Sequence, residues 1–250
     1  MGTREEKPPF LTPEQRNDEV VSWQIMARRK ERSPNRIFPV DQYDYKADRD
    51  IKIIEEEHGI SFFEQIIPRL LQSKKEHEIV KILDIGGGVG IFSAELRKRF
   101  GDKIKVYTTG LRKQPARMFR RATNYLTPDL SQTIHQDDLK WRSILELKNY
   151  PEFDLIVDTY GEQYYGTVTD SEKFTLYIQA IIAKLQPGGI ASISPIENTA
   201  RRSLLKQIAT ESNAKIEMKQ IHTTSGNTYV ARIYKPINNE PNPYENPRAR

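Results

Sequence analysis

The chain of 250 residues contains no cysteine. That excludes disulfides, thiolate metal sites and a cysteine nucleophile, and with them the small disulfide-stapled secreted folds. Histidine is scarce. His58, His77, His135 and His222 are the only four, none in an H-E-x-x-H or similar ligand pair, so no protein-held metal is expected. No run approaches the roughly 18 apolar residues of a membrane span. The first residues, Met1-Gly2-Thr3-Arg4-Glu5-Glu6-Lys7, lack the apolar stretch of a signal peptide. The expectation is a cytoplasmic protein with no membrane contact. Hydrophobic residues make up 37% and charged residues 29%, which suits one globular α/β domain with an appendage.

Charge is unevenly placed. Residues 1–79 carry 14 basic and 16 acidic side chains, net −2, and residues 80–250 carry 25 and 18, net +7. Much of the excess lies between Arg97 and Arg121, where Asp102 is the one acidic residue. Such a flank can attract nucleic acid or anionic substrates. A solvated outer helix face is the better account of it, because a charge run alone names no partner.

The most informative stretch is Val80-Lys81-Ile82-Leu83-Asp84-Ile85-Gly86-Gly87-Gly88-Val89-Gly90. An apolar strand pattern runs into an acidic residue, then into a glycine cluster, then into Ile91-Phe92-Ser93-Ala94-Glu95-Leu96, which reads as helix. A turn made of glycines brings bare backbone N–H groups and the positive end of a helix up to a ligand. The segment therefore reads as a nucleotide-type cofactor site. The G-x-G-x-x-G register of dinucleotide binders fails here: counting from Gly86 the third glycine falls on Ile91, and counting from Gly88 it falls on Ser93.

From Val80 onward strands and helices alternate, which argues for a doubly wound, mostly parallel sheet. The pattern predicts strands over 80–85, 103–108, 133–135, 153–158 and 190–194. Helices are expected over 91–100, 115–125, 171–185 and 199–211, with a closing antiparallel pair over 215–222 and 228–235. Leu185-Gln186-Pro187-Gly188-Gly189 reads as a turn. Before the sheet, helices are expected over about 12–32, 48–58 and 61–72, the last interrupted or kinked at Pro68. The fold class is thus α/β, with a seven-stranded sheet and an N-terminal helical extension. The expected divisions are a helical cap over 1–60, the sheet domain over 61–235 and a Pro/Asn/Glu-rich disordered tail over 236–250.

Asp84 with Gly86, Gly88 and Gly90 resembles the first motif of the class I S-adenosylmethionine-dependent methyltransferases. Phe153-Asp154-Leu155-Ile156-Val157-Asp158 resembles that family's fourth-strand motif, and the Leu185–Gly189 segment resembles its L-x-P-G-G turn. The three stand in the family's order, and the resemblance covers about residues 60–235. It implies S-adenosylmethionine as cofactor, with S-adenosylhomocysteine as product. An acidic residue at position 84 suits a ligand bearing an ammonium and a sulfonium and would repel a pyrophosphate.

The resemblance also assigns residues. Asp84, Gly86, Gly87, Gly88 and Gly90 are expected to hold the methionyl part. The family's ribose-gripping carboxylate at the end of strand two is missing, and Thr108 or Thr109 stands there with a hydroxyl. Asp137, with Asp138 as alternate, is placed near the adenine. Asp158 borders both cofactor and acceptor. Tyr160 can offer its ring to the sulfonium, and Asp158 or Glu162 can accept a proton from the acceptor. The catalytic candidates are therefore Asp158, Tyr160 and Glu162. The N-P-P-Y type motif of base N-methylating enzymes is absent, with Thr159-Tyr160-Gly161 in its place. Trp23, Tyr43 and Tyr45 fit ordinary packing better than a substrate wall, and a lone His222 carries little weight as a base.

The expected function is methyl transfer to an unidentified acceptor, a small molecule ahead of RNA or protein. The rival is a methyltransferase-fold interaction protein without activity, supported by the missing strand-two carboxylate.

Overall fold

The computed structural model describes residues 51–87, 91–109, 139–140, 144–159, 161, 171–196, 199–223 and 226–237. The helices expected over 12–32 and 115–125, the strand expected over 133–135, and the tail beyond 237 lie outside these residues.

Strand β1 (Val80–Ile85) and strand β4 (Phe153–Thr159) are nearly continuous apolar runs, buried on both faces apart from Lys81. Such runs suit the middle of a parallel sheet covered on both sides. Around them lie β2 (Ile104–Thr109), β3 (Leu139–Lys140), β5 (Leu185–Ser194), β6 (Lys215–Thr223) and β7 (Gly226–Tyr234). The sheet order is β3-β2-β1-β4-β5-β7-β6. The pairs β1–β2, β2–β3, β1–β4 and β4–β5 are parallel. β7 runs antiparallel to both β5 and β6. This is the doubly wound α/β arrangement expected from the alternation of elements.

Helices cover the two faces. On one face lie α1 (Ile51–His58), a π-turn over Phe62–Ile66 continuing into α2 (Ile67–Ser73), and α3 (Ile91–Phe100). Their Ile54, Phe62, Ile67, Phe92 and Leu96 pack on Val80, Ile82, Val106, Leu155 and Val157. On the other face α4 (Ser171–Lys184) and α5 (Thr199–Glu211) set Phe174, Tyr177, Ile181, Leu205 and Ile208 against Leu83, Ile85, Ile156 and Ile193. The residues of β1 alternate between the two cores, as the pleat requires.

Several boundaries differ from the sequence reading. The break in the 61–72 helix falls before Pro68, not at it. The π-turn hands over to α2 at Ile67, so Pro68 sits in a first turn, where its missing N–H costs nothing. β2 begins at Ile104, because Gly101–Lys103 forms a 3-10 turn. The third strand lies at Leu139–Lys140, level with Thr108 and Thr109. The strand expected over 133–135 and the Asp137–Asp138 pair come before it in the chain and lie outside the described residues. The Leu185–Gly189 segment is part of β5. Leu185 pairs with Phe153 and Ile190 with Leu155, so the Gln186–Gly189 stretch bulges between two paired positions.

Ser61 anchors the start of the second helical segment. Its Oγ accepts from the Glu64 N–H at 3.0 Å and donates to Glu55 Oε1 at 2.9 Å. Ser61→Ala is expected to lower stability by about 1 kcal/mol, read as a lower urea midpoint with an unchanged slope. An unchanged midpoint would show that the cap is not holding the turn.

Candidate cofactor site

In an open doubly wound sheet, ligands bind beyond the carboxyl ends of the strands where the order reverses. Here that point lies between β1 and β4, whose ends are Asp84-Ile85 and Asp158-Thr159. The chain leaves β1 at Gly86 with φ +67°, a left-handed conformation that favours glycine. The next residue, Gly87, donates its N–H to the Thr109 carbonyl at 3.1 Å, which pins the turn to the end of β2.

Close approach dictates the glycines. A Cβ on Gly87 would collide with Asp84 Oδ2 and with Thr108 Cγ2. A Cβ on Gly86 would lie 2.6 Å from the Gly161 Cα. The turn is thus wedged between the end of β2 and the segment that follows β4. Asp84 is buried beneath it. Its Oδ2 accepts from Ser93 Oγ at 3.2 Å, and Ser93 Oγ in turn lies 2.6 Å from Thr108 Oγ1. A buried carboxyl group held by hydroxyls from the following helix and the neighbouring strand is a fixed polar floor.

Thr108 and Thr109 are both buried at the end of β2. Thr108 is engaged with Ser93, whereas the Thr109 Oγ1 has no hydrogen-bond partner among the described residues. A buried hydroxyl in this position calls for a polar partner.

Across the switch point, Asp158 is fully buried on the α4 side. Its Oδ1 accepts from the Gly161 N–H at 2.7 Å and its Oδ2 accepts from the Tyr177 hydroxyl. The next residue, Thr159, faces the opposite side and meets His58 from α1. His58 Nε2 lies 2.8 Å from Thr159 Oγ1, and Nδ1 lies 2.7 Å from Ser192 Oγ. Arg232 on β7 donates to the His58 and Gly59 carbonyls at 3.0 and 3.2 Å, satisfying the carboxyl end of α1. Complete burial, then the Arg232 guanidinium, push the His58 imidazole from its ordinary 6.5 down to about 3. This histidine is a neutral, hydrogen-bonded strut.

Of the residues singled out in the sequence, the structure brings together Asp84, Gly86, Gly87, Thr108 and Thr109 at one turn, with Asp158 beside it on the other face. Gly88, Gly90, Asp137, Asp138, Tyr160 and Glu162 lie outside the described residues. Ser93, Gly161 and Tyr177 were not among the expected site residues. Tyr177 left one usable signal: a tyrosine on the buried stripe of an apolar helix must find a partner for its hydroxyl.

No protein-family model matches the sequence, and no curated protein does. Solved structures do match. The N-methyltransferase NodS from Bradyrhizobium japonicum WM9, in complex with S-adenosyl-L-homocysteine, is 16% identical, covers 86% of this chain and 99% of its own, and superposes with a TM-score of 0.50. TrmN from Thermus thermophilus is 19% identical over 68% of this chain and 47% of its own, with a TM-score of 0.48. A putative O-methyltransferase from Klebsiella pneumoniae is 13% identical over 88% of this chain and 90% of its own, with a TM-score of 0.46. The chain has the class I methyltransferase fold. No helix among the described residues is long and apolar enough to cross a membrane.

Proposed function

We propose that this protein binds S-adenosylmethionine over the turn after β1 and transfers its methyl group to a nucleophilic acceptor. The observation that carries this reading is the Gly86–Gly87 turn, which excludes any Cβ and lies above a buried, hydroxyl-bonded Asp84. The bare backbone of the turn lets a ligand approach closely there. The residues present fit the cofactor. Asp84 supplies negative charge for an ammonium, and the Thr109 Oγ1, without a partner among the described residues, offers a hydroxyl at the strand end where the resemblance places the ribose. Gly88, Gly90, Asp137 and Asp138 join this set on the sequence pattern alone, as do Tyr160 and Glu162 on the acceptor side. When bound, S-adenosylmethionine supplies an electrophilic methyl group on a sulfonium.

The chain's own contribution is mainly positioning, which can account for a large part of a transfer barrier. Asp84 and the turn fix one end of the site. Glu162 is the proposed proton acceptor and Tyr160 the proposed aromatic face. Asp158, with both oxygens accepting from protein donors, acts in this reading by holding the chain after β4. A small-molecule acceptor is favoured over RNA or protein, because the N-terminal segment can serve as a cap and no nucleic-acid module is recognisable in the sequence. The second reading is an interaction protein that keeps the fold without turnover. It is favoured by the threonines that end β2, where the resemblance calls for a carboxylate.

Calorimetric titration with S-adenosylmethionine, S-adenosylhomocysteine and NAD separates these readings. Saturable binding of the first two and none of NAD is the expected result. Binding of none of the three would overturn the cofactor assignment and leave the interaction protein.

A further inference from the structure

The geometry points to a latch that sets the cofactor turn from the opposite face of the sheet: Tyr177 on α4, acting through Asp158, positions Gly161 against Gly86. This inference rests on the cofactor reading above for its effect on affinity, though not for its effect on the backbone.

The latch has three contacts in series. Tyr177 is fully buried among the side chains of the α4 core, and its hydroxyl donates to Asp158 Oδ2. Asp158 Oδ1 accepts from the Gly161 N–H at 2.7 Å, closing a short loop from the end of β4 back on itself. Gly161 then meets the β1 turn with no space between the two backbones. A Cβ on Gly86 would lie 2.6 Å from the Gly161 Cα, and a Cβ on Gly161 would lie 2.8 Å from the Ile85 carbonyl oxygen and collide with Asp158 Oδ1. Packed interiors shift as units when one side of such a contact moves.

The cost of the arrangement argues for a purpose. A carboxyl group buried in the middle of the sheet is expensive unless its partners are excellent, and an apolar residue facing α4 would pack there without that cost. The carboxyl group does what no apolar side chain can. It ties a phenol anchored in a rigid helix to a backbone N–H beside the cofactor turn, across two fixed hydrogen bonds. Tyr177 and Asp158 are therefore positioning residues, one removed from the ligand.

Asparagine at position 158 separates a latch from an acid or base. Its Oδ1 accepts from Gly161 as before, and its Nδ2 donates to the Tyr177 oxygen, which can accept. Both links survive while the carboxyl group is lost. The experiment measures S-adenosylhomocysteine affinity by calorimetry, together with amide hydrogen exchange at Gly86 and Gly161 in the ligand-free protein. Tyr177→Phe and Asp158→Ala are expected to weaken binding at least about tenfold and to speed exchange at both glycines. Asp158→Asn is expected to restore most of what Asp158→Ala loses. Ile181→Val, on the same helix and in the same core, is expected to lower the thermal midpoint without changing affinity.

Wild-type affinity and exchange in Tyr177→Phe would overturn the latch, as would an Asp158→Asn variant as weak as Asp158→Ala. If Tyr177→Phe does not fold, the Asp158 pair alone decides between the same outcomes. If the wild-type protein itself binds no S-adenosylhomocysteine, the cofactor reading fails, and the exchange rates still test the latch: faster exchange at Gly161 and Gly86 supports it, and unchanged exchange refutes it.

Discussion

Gly87→Val is expected to weaken S-adenosylhomocysteine binding by at least about 100-fold, roughly 3 kcal/mol, in a chain that still folds. The cause is steric. Even the first carbon of a side chain at this position would strike Asp84 Oδ2 and Thr108 Cγ2, and neither can swing away freely. Asp84 is buried and bonded to Ser93, which is bonded to Thr108. The turn must therefore lift off, breaking the Gly87 N–H contact to the Thr109 carbonyl and moving the backbone proposed to lie against the cofactor. Over-packing of this kind costs about 1–3 kcal/mol of stability, which a domain of this size can tolerate. Gly101→Ala supplies the control. Gly101 also has a positive φ, +55°, but open space around its would-be Cβ, so alanine there loses about 1 kcal/mol of stability from conformation alone and leaves affinity untouched. Calorimetry beside a urea titration reads both quantities. A Gly87→Val variant that binds as the wild type does would place the cofactor elsewhere.

How much of this site was visible in the sequence depends on what kind of interaction built it. The β1 turn was legible because its cause is local. Six strand residues, an aspartate among them, and a glycine cluster are contiguous, and a close backbone approach leaves its mark as glycine. The partition of β1 between two cores was legible for the same reason, since a strand buried on both faces is written as an apolar run. The long-range partners were not. Ser93 lies nine residues past Asp84 in sequence, Tyr177 nineteen past Asp158, and His58 more than a hundred before Thr159. Each contact depends on how elements pack across the sheet, and no periodicity encodes which hydroxyl will face which carboxyl group. The bulge in β5 was hidden by chemistry that points elsewhere. Pro187-Gly188-Gly189 reads as a turn by composition, yet Gly188 donates to the Lys235 carbonyl at 2.7 Å and the Gly189 carbonyl accepts from Lys235 at 3.1 Å, so the end of the last strand holds the segment in the sheet.

Those long-range contacts also set the second large effect, which is on stability and not on binding. His58 joins the helix before the sheet to the ends of β4 and β5, at the edge of the switch point. Its two ring nitrogens meet the Thr159 and Ser192 hydroxyls, its ring packs edge-on against Phe62 at 5.4 Å between centroids, and the charge that acts on it is the Arg232 guanidinium, which contacts the His58 carbonyl and reaches toward Glu217. Nothing there welcomes a second cation, and the imidazole stays neutral to about pH 3, against an ordinary 6.5 when the chain unfolds. The sign of the effect follows. Between those two values the unfolded chain binds a proton that the folded chain refuses, so stability is fully present above about pH 6.5 and drains away as the pH falls. The loss from pH 7 is roughly 2 kcal/mol at pH 5 and roughly 3 kcal/mol at pH 4. His58→Gln cannot take up a proton and keeps an amide able to meet a hydroxyl. It is expected to be less stable than the wild type at pH 7, with a flatter dependence on pH down to 5, where most carboxyl groups have yet to titrate. Urea unfolding of both proteins at half-unit steps from pH 7 to 5 measures the difference in slope directly. Parallel curves would mean that His58 is solvated or charged in the folded chain, and that α1 is held to the sheet by its apolar face alone.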